Sequence, residues 1–207
     1  MAWEINHWNI GGIKCKTSPN YKDKIDTIIS SLENTDTNYI TNIQETHISC
    51  PSDIPKELKP YEDLHHFINT FSNLNDPYAG IIMCIRKTEE VISTEILEEG
   101  RLIYAQIRNK ASGEIRNIFS IYCNPSDSNK QKRLILKMKG KIMLDTLESC
   151  IIIGDFNFVT SILDRNRQGI NRMDRETLKT WTDFENDCNI QDSFRLTNPT
   201  RRLYTYT

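Results

Sequence analysis

The sequence lacks most of the features that mark specialised protein classes. Its six cysteines (Cys15, Cys50, Cys84, Cys123, Cys150 and Cys188) stand singly with no CxxC pair, which excludes a zinc-ribbon layout and a dithiol redox centre. They read as reduced thiols of an intracellular, unsecreted protein, and the opening MAWEINHWNI carries no signal-peptide hydrophobic run. No apolar run approaches the ~20 residues needed to span a bilayer, so no membrane role is expected. Charge of one sign is lacking too: 26 Lys and Arg stand against 28 Asp and Glu, a net charge of -2. Any nucleic-acid contact must therefore rest on a local patch. The four histidines, His7, His47, His65 and His66, form no HxxxH arrangement, which makes zinc a poor reading. No repeat, low-complexity tract or linker divides the 207 residues, and the length suits a single domain, 1–207.

What is present is a series of short apolar segments of strand character, at 2–9, 38–44, 79–86, 102–108, 115–122 and 150–154. Between the first two, Ile25, Ile28, Ile29 and Leu32 recur at helical spacing. A second helix is predicted ahead of the last strand on Leu134, Leu136, Met138, Ile142, Met143 and Leu147, with Ser126 or Asp127 as its N-cap. A third is predicted over 175–188, with Leu178, Trp181 and Phe184 as its stripe. The stretch 79–122 reads as an antiparallel meander turning at Gly113. Strands mixed with flanking helices give an α/β or α+β sandwich.

Polar residues collect where the strands run out. Asn9 closes the first apolar segment before Gly11 and Gly12, Glu45 follows YITNIQ, and Tyr122 ends NIFSI. Asp155 and Asn157 straddle Phe156 after CIIIG. Ligands of layered α/β sheets bind beyond the carboxyl ends of strands, so four such ends can share one site. Two carboxylates, two carboxamides and a phenol make a hard oxygen set that suits Mg²⁺ (or Mn²⁺), which takes one or two carboxylates and completes its shell with water and phosphate oxygens. Each residue alone has a plainer reading: Asn9 as a turn residue, Glu45 as a helix first-turn acid, Tyr122 as half-buried packing, and Asp155 with Asn157 as an Asx turn.

Taken in order, WNIGGI (8–13), IQETHIS (43–49), PYAGIIMCI (77–85), EEGR followed by LIYAQIR (98–108), IYCNPSD (121–127), IIIGDFNFV (151–159), ILDR (162–165) and DSFRLTNPTRRLYTYT (192–207) resemble the endonuclease/exonuclease/phosphatase family of DNase-I-like and apurinic nucleases. More closely they resemble the endonuclease domain of LINE-type (non-LTR) retrotransposon polyproteins, a branch marked by the LDR and NP…YT segments. The resemblance covers essentially the whole chain. It implies a four-layer α/β sandwich, two mixed or antiparallel sheets packed face to face with helices on the outer faces. It also implies that Glu45, helped by Asn9, holds a divalent metal, that Tyr122 contacts the scissile phosphate, that Asp155 orients or deprotonates the attacking water, and that Asn157 positions a phosphate oxygen. Thr205, beside Tyr204, matches the segment that the family sets near the DNA backbone. The implied partners are double-stranded DNA and a reverse transcriptase domain on the same polyprotein, with cytoplasmic synthesis and a nuclear site of action.

The family's Ser-Asp-His segment, and the Ile-Asp strand before it, have no counterpart up to Thr207, and none of the four histidines matches that context. The chain is therefore expected to be a fragment lacking the family's C-terminal strands, with one sheet edge unpaired, the alternative being a naturally shortened, inactive relative. Three classes stay open: a metal-dependent endonuclease whose nick primes reverse transcription, a same-fold phosphatase or phosphodiesterase, and a non-catalytic nucleic-acid-binding module. DNA contact is expected from LDRNRQGINRMDR, through Arg165, Arg167 and Arg172, with Arg175 beside them, the plainer reading being a salt-bridged surface loop with Asp164 and Asp174. The basic run from Lys130 to Lys141 reads more simply as the solvated face of a helix.

Overall fold

The structure, a computed structural model, describes residues 4–14, 16, 20–33, 38–164 and 172–202. Two compact units make it up, Met1–Tyr122 with Glu148–Asp155, and Cys123–Leu147 with Phe156–Thr207.

The first unit holds two four-stranded sheets. One runs in the spatial order β1 (Glu4–Asn9), β2 (Asn38–Gln44), β4 (Ile81–Arg86) and β3 (His65–Thr70). Its β1 and β2 are parallel and its other pairs antiparallel. A parallel pair needs a crossover, and the helix α1 (Tyr21–Glu33) supplies it. The other sheet is the meander β5 (Glu89–Glu98), β6 (Leu102–Asn109) and β7 (Ile115–Tyr122), extended in parallel by β8 (Cys150–Asp155).

Side-chain alternation builds the core between the sheets. Ile40, Ile81, Met83 and Ile85 form one buried cluster with Ile103, Ala105, Ile107 and Ile118. Residues of the opposite parity, Ile43, Ile82 and Cys84, pack with Ile25, Ile28 and Leu32 of α1. The run IIMCI in β4 is apolar without alternation because both of its faces are covered, as in any strand at the centre of layered sheets. This is the two-sheet α/β sandwich that the resemblance implies.

The predicted meander over 79–122 needs correction. Its first segment, 79–86, pairs with β2 and β3 in the other sheet, so the meander begins at β5 instead. Neither β3 nor β5 carries a sequence signal strong enough to predict it: β3 reads HHFINT, and β5 reads EEVISTEILE with most of its side chains exposed. Both are outer strands of their sheets, where a single buried face leaves room for polar residues.

The second unit is built on α2 (Ser128–Leu144) and α3 (Arg172–Cys188), followed by the short α4 (Ser193–Thr197). The buried apolar residues of α2 are Leu134, Ile135, Met138 and Ile142, while Leu136 and Met143, predicted for its apolar stripe, are exposed, and Leu147 lies beyond the helix. On α3, Trp181 and Phe184 are buried as predicted, and Trp181 meets Phe156 and Phe158 edge-on, at centroid separations of 5.2 and 5.4 Å. Of the two predicted caps, Asp127 is the one used, accepting from the N–H groups of Asn129 and Lys130 at 2.9 and 3.1 Å. Asp127→Ala is expected to lower stability by about 1 kcal/mol, read as a lower midpoint of thermal unfolding. No described helix is long and apolar enough to cross a membrane. Among the described residues Cys50, Cys84, Cys123, Cys150 and Cys188 are free thiols.

Candidate active site

Two parallel strand pairs set the geometry. In the first sheet Asn9 lies opposite Gln44, and Glu45 is the next residue. In the second, Tyr122 lies opposite Asp155. Two interactions join these rims across the sheets. Asn9 Nδ2 donates to Asp155 Oδ2 at 2.8 Å, and the Glu45 carboxylate lies near enough to the Tyr122 phenol for its charge to push the phenol pKa up. The structure thus brings Asn9, Glu45, Tyr122 and Asp155 into one ring. Asn9 Oδ1 accepts from the Gly11 N–H at 3.1 Å, an Asx turn that fixes the carboxamide with its nitrogen toward Asp155. The plain turn reading of Asn9 and its site reading are one arrangement.

Glu45 is no helix first-turn acid, because irregular backbone follows it. Both Glu45 and His47 hold left-handed backbone, φ 56° and 58°, which costs about 1–3 kcal/mol for each such residue. Neighbouring backbone over-determines that shape. Gly12 N–H donates to Glu45 O at 2.7 Å, Ile13 N–H to Thr46 O at 3.0 Å, Thr46 N–H to Gly80 O at 3.2 Å and His47 N–H to Ala79 O at 3.0 Å. Lys24, from α1, ties down the adjoining turn by donating to the carbonyls of Gly11 and Gly12 at 2.6 and 2.9 Å. A Cβ on Gly12, whose φ is +86°, would lie 2.6 Å from His47 Nδ1, whereas one on Gly11 would meet nothing nearer than Lys24 Nζ at 3.7 Å. Gly12→Ala is therefore expected to lower the urea midpoint clearly more than Gly11→Ala, which carries backbone strain alone, by about 1–3 kcal/mol.

Tyr122 is nearly buried, and an arginine that sequence reasoning did not single out holds it. The Arg101 guanidinium lies 4.2 Å from the Tyr122 ring centroid and donates to Tyr122 O at 3.3 Å. It also grips Asp76 through Nε and Nη2 at 2.7 and 2.6 Å. Burial pushes the Tyr122 phenol pKa up, the Glu45 charge pushes the same way, and Arg101 opposes them. The phenol therefore keeps its proton at neutral pH and acts as a donor. Two histidines reach the ring. His47 Nε2 is 3.4 Å from Glu45 Oε1. His7 follows the parity of Asn9 on β1; desolvation lowers its pKa, while Asp155 and Gln44 pull the other way.

Asn157 belongs to the second unit. Its backbone is left-handed, φ 51°, a conformation asparagine tolerates. Its Nδ2 donates to Cys123 O at 2.9 Å, and buried Gln131 donates to Asn157 O at 3.3 Å. Gln131 in turn accepts from Thr177 at 2.6 Å. Arg172 is exposed and paired with Glu176 at 3.0 Å. Asp164 of the LDR segment pairs with Arg195 of DSFR. Arg165, Arg167, Tyr204 and Thr205 lie outside the described residues.

Among the described residues no group of three His, Cys, Asp or Glu side chains could hold a metal. A hydrated Mg²⁺ needs only one or two carboxylates, with phosphate and water filling its remaining positions. Glu45, partly exposed beside a phenol, is such a donor, so the residues fit a hard cation and do not fit a structural zinc.

Residues 7–206 match the profile of the Endonuclease/Exonuclease/phosphatase family. Among solved structures, the AP endonuclease LMAP of Leishmania major is similar over 96% of this chain and 70% of its own, at 13% identity and a TM-score of 0.69. The APE2 catalytic domain of Xenopus laevis is similar over 96% and 73%, at 18% identity and 0.65. D. rerio TDP2, complexed with a single-strand DNA product, is similar over 74% of this chain at 21% identity and 0.55, and the match spans 60% of its length. At these identities the likeness is one of fold. Members of the matched family are hydrolytic nucleases and phosphatases that generally use divalent metals, and this chain belongs to that endonuclease/exonuclease/phosphatase family.

Proposed function

We propose that residues 1–207 belong to one catalytic domain, the DNA endonuclease of a non-LTR retrotransposon polyprotein, whose activity is that of the complete protein. It hydrolyses one target-strand phosphodiester, and the freed 3′-hydroxyl primes reverse transcription. The observation that carries this reading is the 2.8 Å hydrogen bond from Asn9 to Asp155 between the two sheet rims. It holds a carboxylate in fixed orientation beside Glu45 and Tyr122, which is what a positioned base requires.

Asp155 orients the attacking water and takes its proton. Tyr122, still protonated, donates to a phosphate oxygen, and Asn157 positions another. Glu45, helped by Asn9, holds Mg²⁺ (or Mn²⁺), which when bound supplies positive charge against the phosphate oxygens. The LDR and NP…YT segments, with the arginine-rich stretch around Arg172, favour DNA over a small phosphoester. Duplex DNA and a reverse transcriptase domain of the same polyprotein are the partners, with synthesis in the cytoplasm and action in the nucleus.

The test is Mg²⁺-dependent nicking of supercoiled plasmid, with the ends checked for extension by a polymerase. Extendable nicks are expected. ANGEL2, a 2′,3′-cyclic phosphatase, is a structural neighbour at a TM-score of 0.56. Phosphate release from small phosphoesters without nicking would move the assignment to that side of the family. DNA binding without scission would leave a non-catalytic module.

A further inference from the structure

Helix α2 carries six cations, Lys130, Lys132, Arg133, Lys137, Lys139 and Lys141, and no acid, in a chain whose net charge is -2. Its apolar residues divide between two faces. Leu134, Ile135, Met138 and Ile142 are buried, whereas Leu136, Met143 and Leu144 are 56, 55 and 85% exposed. With Gly140 the exposed three follow the spacing i, i+4, i+7, i+8, so they make one apolar stripe along the side of the helix turned away from its buried face. We infer that this stripe is the docking face for an amphipathic helix of a partner protein, one whose apolar seam is flanked by Asp and Glu.

Gly140 points to a helix as the occupant. A glycine inside a helix is destabilising relative to alanine, because it loses more chain freedom on folding. Nothing within the described residues asks for one here. Gly140 is not among the glycines of positive φ, and a Cβ built on it meets nothing within 4 Å. The missing side chain leaves a notch between Leu136 and Met143 on the stripe. Such a notch lets a second helix come close to the backbone, since the separation of packed helices is set by the side chains at their contact. A fluid lipid surface gains nothing from a notch, and α2 has none of the Trp or Phe that seat interfacial helices. A nucleic-acid backbone would meet the cations but has no use for three large apolar side chains.

The charges set which helix fits. Lys139 pairs with Asp187 and Lys141 with Asp145. Subtracting both still leaves α2 with a strong positive excess, and Lys130, Arg133 and Lys137 run along one flank of the stripe at i, i+3, i+7 spacing. Acidic flanks on the partner match this side. Like charge turns away a basic helix, including the α2 of a second copy. Leu136, Gly140, Met143 and Leu144 lie outside the strand-end ring, so the docking face does not depend on the nuclease reading.

The experiment measures fluorescence anisotropy of the 207-residue chain with two labelled helical peptides. Both carry a leucine seam at i, i+4, i+7 and i+11, and they differ only in its flanks, glutamate in one and lysine in the other. The glutamate peptide is expected to bind about tenfold tighter and to weaken as salt is raised. A chain with both Leu136→Ala and Met143→Ala should lose about tenfold in affinity for it, the scale for removing apolar anchors of an interface. Its thermal midpoint should not change, because both side chains are exposed. Gly140→Ala separates docking from folding, since its two effects have opposite sign. The midpoint of the free chain should rise, while affinity for the glutamate peptide falls about tenfold. A Gly140→Ala chain that is more stable and binds as well as before overturns the inference, as do equal affinities for the two peptides. Co-sedimentation with phosphatidylserine vesicles that is lost in the Leu136→Ala, Met143→Ala chain also overturns it, because the stripe would then serve a membrane surface.

Discussion

Asp155→Ala is expected to reduce Mg²⁺-dependent nicking by about 10²- to 10⁴-fold, the range for loss of a positioned general base. The loss should fall on kcat, because the carboxylate acts on water in the transition state and contributes little to ground-state DNA binding. Asp155→Asn separates chemistry from geometry. Its side-chain oxygen can still accept from Asn9 Nδ2, which now lies 2.8 Å from Asp155 Oδ2, but it cannot hold the water's proton. It should therefore be as inactive as alanine. Asn9→Ala leaves the carboxylate in place and removes the hydrogen bond that aims it, so a smaller loss, about tenfold, is expected. Single-turnover nicking of plasmid gives all three rates. An active Asp155→Asn variant would remove Asp155 from the base role and leave it a structural acceptor for Asn9.

The residue types of this site were legible in the sequence, but their meeting was not. CIIIGD announces a buried strand followed by a carboxylate, and Ile25, Ile28 and Leu32 announce the crossover helix, because each signal is local in the chain. The bond between Asn9 and Asp155 joins residues 146 positions apart. No periodicity reports which strand ends face each other, and family order supplied that link. The pairing of Arg101 with Asp76 stayed invisible for a related reason, since each is an ordinary loop charge until the fold sets them 2.6 Å apart. The left-handed backbone at Glu45 runs against local preference, for only the hydrogen bonds from Gly12 and the strap at Ala79 and Gly80 make it affordable. In α2, Leu136 and Met143 fit the helical period as well as Ile135 does, and only tertiary packing decides which of them are covered.

The glycine of IIIGDFN explains why a carboxylate can stand at this strand end, and Gly154→Ala should be among the most damaging single changes in the chain. Gly154 lies opposite Ile121 in the parallel pairing of β7 with β8. Its φ is +146°, and a Cβ there would stand 1.8 Å from Ile121 O and 2.8 Å from Ile121 C. These are backbone atoms, so no rotamer relieves the overlap, and β8 would have to withdraw from β7. A destabilisation of about 4 kcal/mol or more follows, a large share of the roughly 5–15 kcal/mol that holds an ordinary domain together. The withdrawal also carries Asp155 away from its opposite residue Tyr122, so nicking by whatever fraction still folds should fall as well. Gly113→Ala is the matched control. Its φ of +76° is also positive, so some backbone strain remains, but a Cβ there meets nothing within 4 Å, and a loss of about 1–2 kcal/mol is expected with nicking intact. Urea unfolding of the two variants separates strain from collision. Equal midpoints would mean that β8 does not press against Ile121 as described, and that the glycine serves conformation alone.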